Sequence, residues 1–92
     1  MAKLPRITHH TLKVLDAVGS RAGISGAEIT RATGLPSGTL YPILLRLESV
    51  GWLRSEWELL SAQELGRPRR RFYTLTQQGA AHARSAAEEI KP

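Results

Sequence analysis

The chain has 92 residues, which suits one domain around one modest core. It has no cysteine, which excludes a disulfide framework and thiolate chemistry, and no apolar run approaches the roughly 20 residues that cross a bilayer. Its formal net charge of +5 is unevenly spread: Arg67, Arg69, Arg70 and Arg71 lie within five positions, whereas Arg84 and Lys91 are balanced by Glu88 and Glu89. Such clustering is the electrostatic footprint of a nucleic-acid binder; the plainer reading is a solvated basic loop. The opening Met-Ala-Lys-Leu-Pro-Arg lacks a signal-peptide core, so a cytoplasmic protein is expected.

In chain order, Thr8 can cap a first helix to about Ala22, with Leu12, Leu15 and Val18 at helical spacing and Val14 beside Val18. Ser25 followed by Glu28 is a capping box, opening a short helix from Gly26 to Thr33 with Ile29 and Ala32 turned inward. After the Gly34–Pro36 connection, Ser37 reads as the N-cap of a third helix. Its Leu40, Ile43, Leu44 and Leu47 form a buried stripe, leaving Gly38, Pro42, Leu45 and Ser49 opposite, flanked by Thr39 and Arg46. Gly51 is a natural stop. The period then becomes alternating: Leu53, Ser55, Trp57 and Leu59 share a mostly buried face, with Trp52, Arg54, Glu56 and Glu58 opposite. Residues Ser61–Pro68 read as a polar loop, Arg70–Leu75 as the returning strand, and Thr76 as the cap of a last helix from Gln77 to about Ile90. Ala80, Ala83, Ala87 and Ile90 make a narrow stripe along that helix.

Two short helices joined by a tight turn, then a basic hairpin, make a winged helix-turn-helix. The fold class is α+β, mainly α: three helices, a two-stranded wing and a C-terminal helix.

Two separated motifs carry a family likeness. Gly38-Thr39-Leu40-Tyr41-Pro42 is followed by Arg46-Leu47-Glu48 and Gly51; Ser55–Glu58 then leads to Gly66-Arg67-Pro68-Arg69-Arg70, Phe72-Tyr73, Leu75-Thr76 and Gly79. In these the chain resembles the PadR-type transcriptional regulators, which are dimeric bacterial repressors. It departs from their pattern in three places. Ser25-Gly26-Ala27-Glu28-Ile29 lacks the two tyrosines of the family's Tyr-Gly-Tyr-Glu-Ile run. Leu45-Arg46 replaces two adjacent basic residues. The C-terminal region is one short helix rather than a long dimerisation domain.

The resemblance implies a sequence-specific regulator of double-stranded DNA, acting as a homodimer, with residues 1–75 as the DNA-binding domain and 76–92 as a C-terminal dimerisation helix. The expected DNA-facing residues are Ser37, Gly38, Thr39, Tyr41, Pro42, Leu45, Arg46 and Ser49 on the recognition helix and Arg67, Arg69 and Arg70 in the wing. Arg46 can reach a guanine or a phosphate. Leu45 can meet a thymine methyl or pack against the wing or another chain, and Tyr41 can bind a phosphate or pack half-buried. Ser37 and Thr39 lie where helix amides attract phosphate, and capping is the plainer role of Ser37. Arg71, nearer the strand, is expected to pair with Glu56 or Glu58 across the hairpin. The dimer is assigned to Ala80, Ala83, Ala87 and Ile90 with the first helix. Trp52 and Trp57 read as ordinary packing.

No catalytic, metal or cofactor site is expected. His9 and His10 point about 100° apart on a helix and His82 is isolated, so the three read as solvated helix residues. No phosphate loop, nucleophile elbow or zinc spacing appears. The competing class is a winged-helix protein-interaction module or antirepressor, which would need neither Arg46 nor the arginine wing. No residue specifies a small-molecule effector.

Overall fold

Helical spacing of apolar residues builds the first layer of this molecule, whose computed structural model describes residues 6–90. The side chains of residues 89 and 90 lie outside that description, and with them the expected interface side chain of Ile90. Helix α1 (His9–Gly19) is capped by Thr8, whose hydroxyl accepts from the Thr11 amide, and buries Val14, Leu15 and Val18. It stops at Gly19 rather than near Ala22: Ser20 folds back on the Ala17 carbonyl through both its amide and its hydroxyl. The residues so released lead Ile24–Ser25 into a short strand, β1, which the sequence pattern does not announce.

Helix α2 (Gly26–Thr33) has the predicted capping box: the Ser25 hydroxyl accepts from the Glu28 amide, and the Glu28 carboxylate accepts from the Ser25 amide. Ile29 is fully buried, but the other inward residue is Thr33, not Ala32, which is exposed. Thr33 tolerates burial because its hydroxyl donates to the Ile29 carbonyl at 2.8 Å and accepts from the Leu35 amide at 3.2 Å.

Helix α3 (Ser37–Ser49) starts one residue early. Pro36, extended at φ −67° and ψ 155°, is its N-cap, and its carbonyl accepts from the Thr39 and Leu40 amides. Ser37 is therefore the first helical residue, not the cap. Leu40, Leu44 and Leu47 are buried and Ile43 half-buried, as the stripe predicts. At Gly51, a φ of 81° that only glycine adopts freely turns the chain, and Trp52 drops into the core with its amide on the Leu47 carbonyl.

Strands β2 (Leu53–Trp57) and β3 (Arg71–Leu75) pair antiparallel, and β1 joins β3 on its other edge, giving the order β1-β3-β2. The expected buried face of β2 holds for Leu53 and in part for Ser55, then fails. Trp57 is half-exposed and Leu59 wholly so, because the hairpin runs out past the core. The expected loop contains a further helix, α4 (Ala62–Leu65), with its own capping box of Ser61 and Glu64. That sequence signal was present, but a single turn buries nothing and shows no apolar period.

Helix α5 (Gln77–Ile90) is joined to the core at its first turn. The Thr76 hydroxyl accepts from the Gly79 amide and donates to the Gly51 carbonyl at 2.6 Å. Further along, His82 stacks on the buried Trp52 ring with centroids 4.3 Å apart and planes 16° from parallel. His82 is thus a packing residue rather than a solvated one. Burial of side chains such as Leu44 and Leu47 contributes about 1.5–3 kcal/mol each, so these contacts carry most of the stability of so small a domain.

Candidate nucleic-acid interface

With Leu40, Leu44 and Leu47 facing inward, helical geometry turns the opposite side of α3 to solvent. Ser37, Gly38, Pro42, Leu45, Arg46 and Ser49 are exposed there, and Thr39 is half-buried at the edge. Leu45 is 71% exposed, so it packs against neither the wing nor the core. Arg46 has no ion-pair partner among the described residues, while the Ser49 hydroxyl donates back to the Arg46 carbonyl at 2.7 Å. Pro42 sits inside the helix and offers no amide to the Gly38 carbonyl four residues earlier. A Cβ at Gly38 would meet nothing within 4 Å. No internal contact therefore demands a glycine at that point on the helix.

Of its two expected characters, Tyr41 shows the packing one. Its ring is 46% exposed, yet its hydroxyl lies against α2: a Cβ on Gly26 would fall 2.5 Å from the phenolic oxygen. The first turn of α2 thus needs glycine so that the Tyr41 ring can lie over it. Tyr41, Gly26 and Ala27 form one wall of an open cavity of about 420 Å³, and Trp57, Arg69, Arg70 and Arg71 form the other. Tyr41 is the residue by which α3 reaches this cleft beside the basic loop.

The four clustered arginines have different surroundings. Arg71 does not pair with Glu56 or Glu58. Its Nε donates to the Ser55 hydroxyl at 2.7 Å, that hydroxyl donates to Glu48 Oε2 at 2.6 Å, and Arg71 Nη2 reaches the same oxygen at 3.3 Å. Strand parity is the reason. Arg71 stands opposite Trp57 on the core side with Ser55, whereas Glu56 stands opposite Phe72 on the other side, and Glu58 lies past the paired residues. These hydrogen bonds tie β3 and β2 to α3 and set the wing against that helix.

Arg67 is held bidentately by Glu58, at 2.7 and 3.1 Å. The Arg67 hydrogen bond holds the Glu58 carboxyl below its ordinary range against a smaller desolvation effect, and Glu58 in turn raises Arg67. Arg69 donates to the Glu58 carbonyl and lies 5.8 Å from the Trp57 ring centroid. The Arg70 guanidinium has no partner among the described residues. Glu48, Ser55 and Glu58 stand in the sequence motifs, but their pairings with Arg71 and Arg67 escaped the sequence reading, which treated acids as cross-strand neighbours; only the strand register separates them.

On α5, Ala80 and Ala83 are half-buried and Ala87 exposed, along grooves shared with Leu12, Leu15 and Asp16 of α1; the buried alanine is Ala86. Among the described residues no group of three or more His, Cys, Asp or Glu is placed to hold a metal. No described helix is long and apolar enough to cross a membrane.

Residues 12–85 match the transcriptional regulator PadR-like family. This chain belongs to the PadR-like family. Solved structures share its fold. A PadR family transcription regulator from hypervirulent Clostridium difficile is 24% identical, with a TM-score of 0.75 over 89% of this chain and 86% of its own. The smu.1704 protein of Streptococcus mutans is 28% identical, with a TM-score of 0.72 over 87% of this chain and 74% of its own. FabT of Streptococcus pneumoniae, solved in complex with DNA, shares the fold at 15% identity and a TM-score of 0.72, over 95% of this chain and 57% of its own. No curated protein matches this sequence. The fold of this PadR-like regulator is the winged helix-turn-helix that its sequence pattern predicts.

Proposed function

We propose that this PadR-like regulator is a repressor that binds a pseudo-palindromic operator in double-stranded DNA as a homodimer. The observation that carries the reading is the exposed face of α3, tied to the basic wing through Glu48, Ser55 and Arg71, with Arg46 and Arg70 without ion-pair partners among the described residues. In this reading Thr39, Pro42, Leu45, Arg46 and Ser49 enter the major groove, where base edges differ in donors and acceptors. Arg46 takes a guanine edge or a phosphate, and the 71% exposed Leu45 meets a thymine methyl. The open flank at Gly38 lets a phosphate approach the N-terminus of α3, beside Ser37 and Tyr41. Arg69 and Arg70 hold the neighbouring backbone. FabT, a protein of the same fold, was solved in complex with DNA, which supports the DNA-binding reading.

The homodimer uses α5, through Ala80, Ala83, Ala87 and Ile90, together with α1. Twofold symmetry would set the recognition helices about 34–36 Å apart, one turn of duplex.

The test begins with selection of bound genomic fragments at defined salt, followed by gel-shift titration of the selected duplex. Arg46→Ala and the double Arg69→Ala/Arg70→Ala variant are expected to weaken binding. Each lost phosphate contact should lower the slope of log K against log salt by about 0.9. Equal binding by the wild type and these variants would discard the assignment of the surface. Failure of the wild type to select any duplex would favour the protein-interaction module instead.

A further inference from the structure

The wing arginines are unequal, and one acidic residue divides them. Glu58 follows β2, and both its backbone and its carboxylate are engaged. Its amide donates to the Arg70 carbonyl at 2.9 Å, and its carboxylate accepts from the Arg70 amide at 2.7 Å. The same carboxylate takes both Nη atoms of Arg67, while its carbonyl accepts from Arg69 Nε at 2.9 Å and Nη2 at 2.5 Å. Arg67 Nη1 also donates to the Pro68 carbonyl at 3.1 Å. The loop that leaves at Glu58 and returns at Arg70 is therefore closed at its base by one residue, through its backbone and its carboxylate. A bidentate arginine–carboxylate pair is strong and geometrically selective, and this one is half-sheltered, with side-chain exposures of 35% for Arg67 and 15% for Glu58. Among the described residues Arg69 keeps only Nη1 unused, whereas the Arg70 backbone is held by Glu58 and its guanidinium has no partner.

We propose that Glu58 is the positioning residue of the DNA-binding wing: it withholds Arg67 from the duplex and uses it to fix the loop, so that Arg69 and Arg70 alone meet the DNA backbone. This rests on the DNA-binding reading above. It reverses the simple electrostatic expectation. A carboxylate near a polyanion repels it, so its removal alone should tighten binding. If Glu58 orders the loop, its removal weakens binding, because the arginines must then be ordered on the DNA.

The test is a fluorescence-anisotropy titration of the full chain on the selected duplex at several salt concentrations. It uses Glu58→Gln, Arg67→Ala, their double variant and Arg70→Ala, each checked for fold by circular dichroism. Glu58→Gln and Arg67→Ala are each expected to weaken binding about tenfold, and the double variant no more than either alone. Both singles keep the wild-type salt slope, whereas Arg70→Ala lowers it by about 0.9. In the free proteins, Arg70 amide exchange quickens in Glu58→Gln while Tyr73 exchange is unchanged. Tighter or unchanged binding by Glu58→Gln would overturn the proposal, as would an Arg67→Ala slope reduced like that of Arg70→Ala. If wild type binds no duplex, the DNA-binding reading falls first; if wild type binds and Glu58→Gln binds more tightly, only the role of Glu58 falls.

Discussion

A methyl group on Gly79 would lie 2.1 Å from the Trp52 carbonyl oxygen and 2.9 Å from Leu75 Cδ1. The backbone oxygen cannot move without breaking its bond from the Thr76 amide. Gly79→Ala is therefore expected to destabilise the fold by about 1–3 kcal/mol, read from the midpoint of urea unfolding. Gly38→Ala should do the reverse. Its site is open, so removing a helical glycine stabilises the fold by about 0.5–1 kcal/mol. If the DNA backbone approaches there, the same variant binds the selected duplex less tightly; unfolding and anisotropy titrations on one sample separate the two effects. His82→Ala removes the Trp52 stack and should lower stability by about 0.5–1.5 kcal/mol in the same unfolding assay. The glycines were visible in the sequence, but which were crowded and which open was not, because the neighbours of Gly79 come from Trp52 and those of Gly26 from Tyr41.

At the level of elements, two serines that look alike before helices behave differently. Ser25 caps α2 through a reciprocal box with Glu28, so Ser25→Ala should cost about 1 kcal/mol of stability. Ser37 lies one residue inside α3, so Ser37→Ala should change stability by less than about 0.5 kcal/mol; thermal unfolding compares the pair. The extended dihedrals of Pro36 had made it the cap, which the Ser-Gly-Thr run does not reveal. The wing also carries a pH dependence. Glu58 has its pKa lowered from the ordinary 4.5, first by the Arg67 hydrogen bond. A carboxyl lowered by folding contributes its stabilisation fully above the ordinary value and loses it as pH falls through the lowered one. Amide exchange at Arg70, corrected for intrinsic rates, should therefore quicken below about pH 4 before exchange in the core helices does.

For the whole molecule, α5 is joined to the core by Thr76, Gly79 and His82. Ala80, Ala83 and Ala87 all border grooves against α1, and Ala87 is the most exposed of the three. If α5 and α1 form the proposed homodimer, Ala87→Glu should shift the mass toward monomer in light scattering at micromolar concentration. Binding to a two-half-site duplex should then weaken more than binding to a single half-site. A monomeric wild type at that concentration would count against the dimer. The stripe and its spacing were legible from the sequence; how much of it its own chain covers depends on the packing of α1.

Local chemistry determined much of this protein. The i, i+3, i+4, i+7 apolar residues Leu40, Ile43, Leu44 and Leu47 define α3, the Ser25–Glu28 box opens α2, and the two separated PadR-like motifs identify the family. These signals act within a few residues or are read directly as strings. The tertiary structure decided the partners of the charged residues. Arg71 binds Ser55 and Glu48, and Arg67 binds Glu58, because hairpin register selects which side chains share a face. It also decided which aromatics are core, since Trp52 turns inward at Gly51 while Trp57 stands where the wing has left the core behind. Register and burial depend on contacts between distant segments, and a one-residue shift along a strand reverses both.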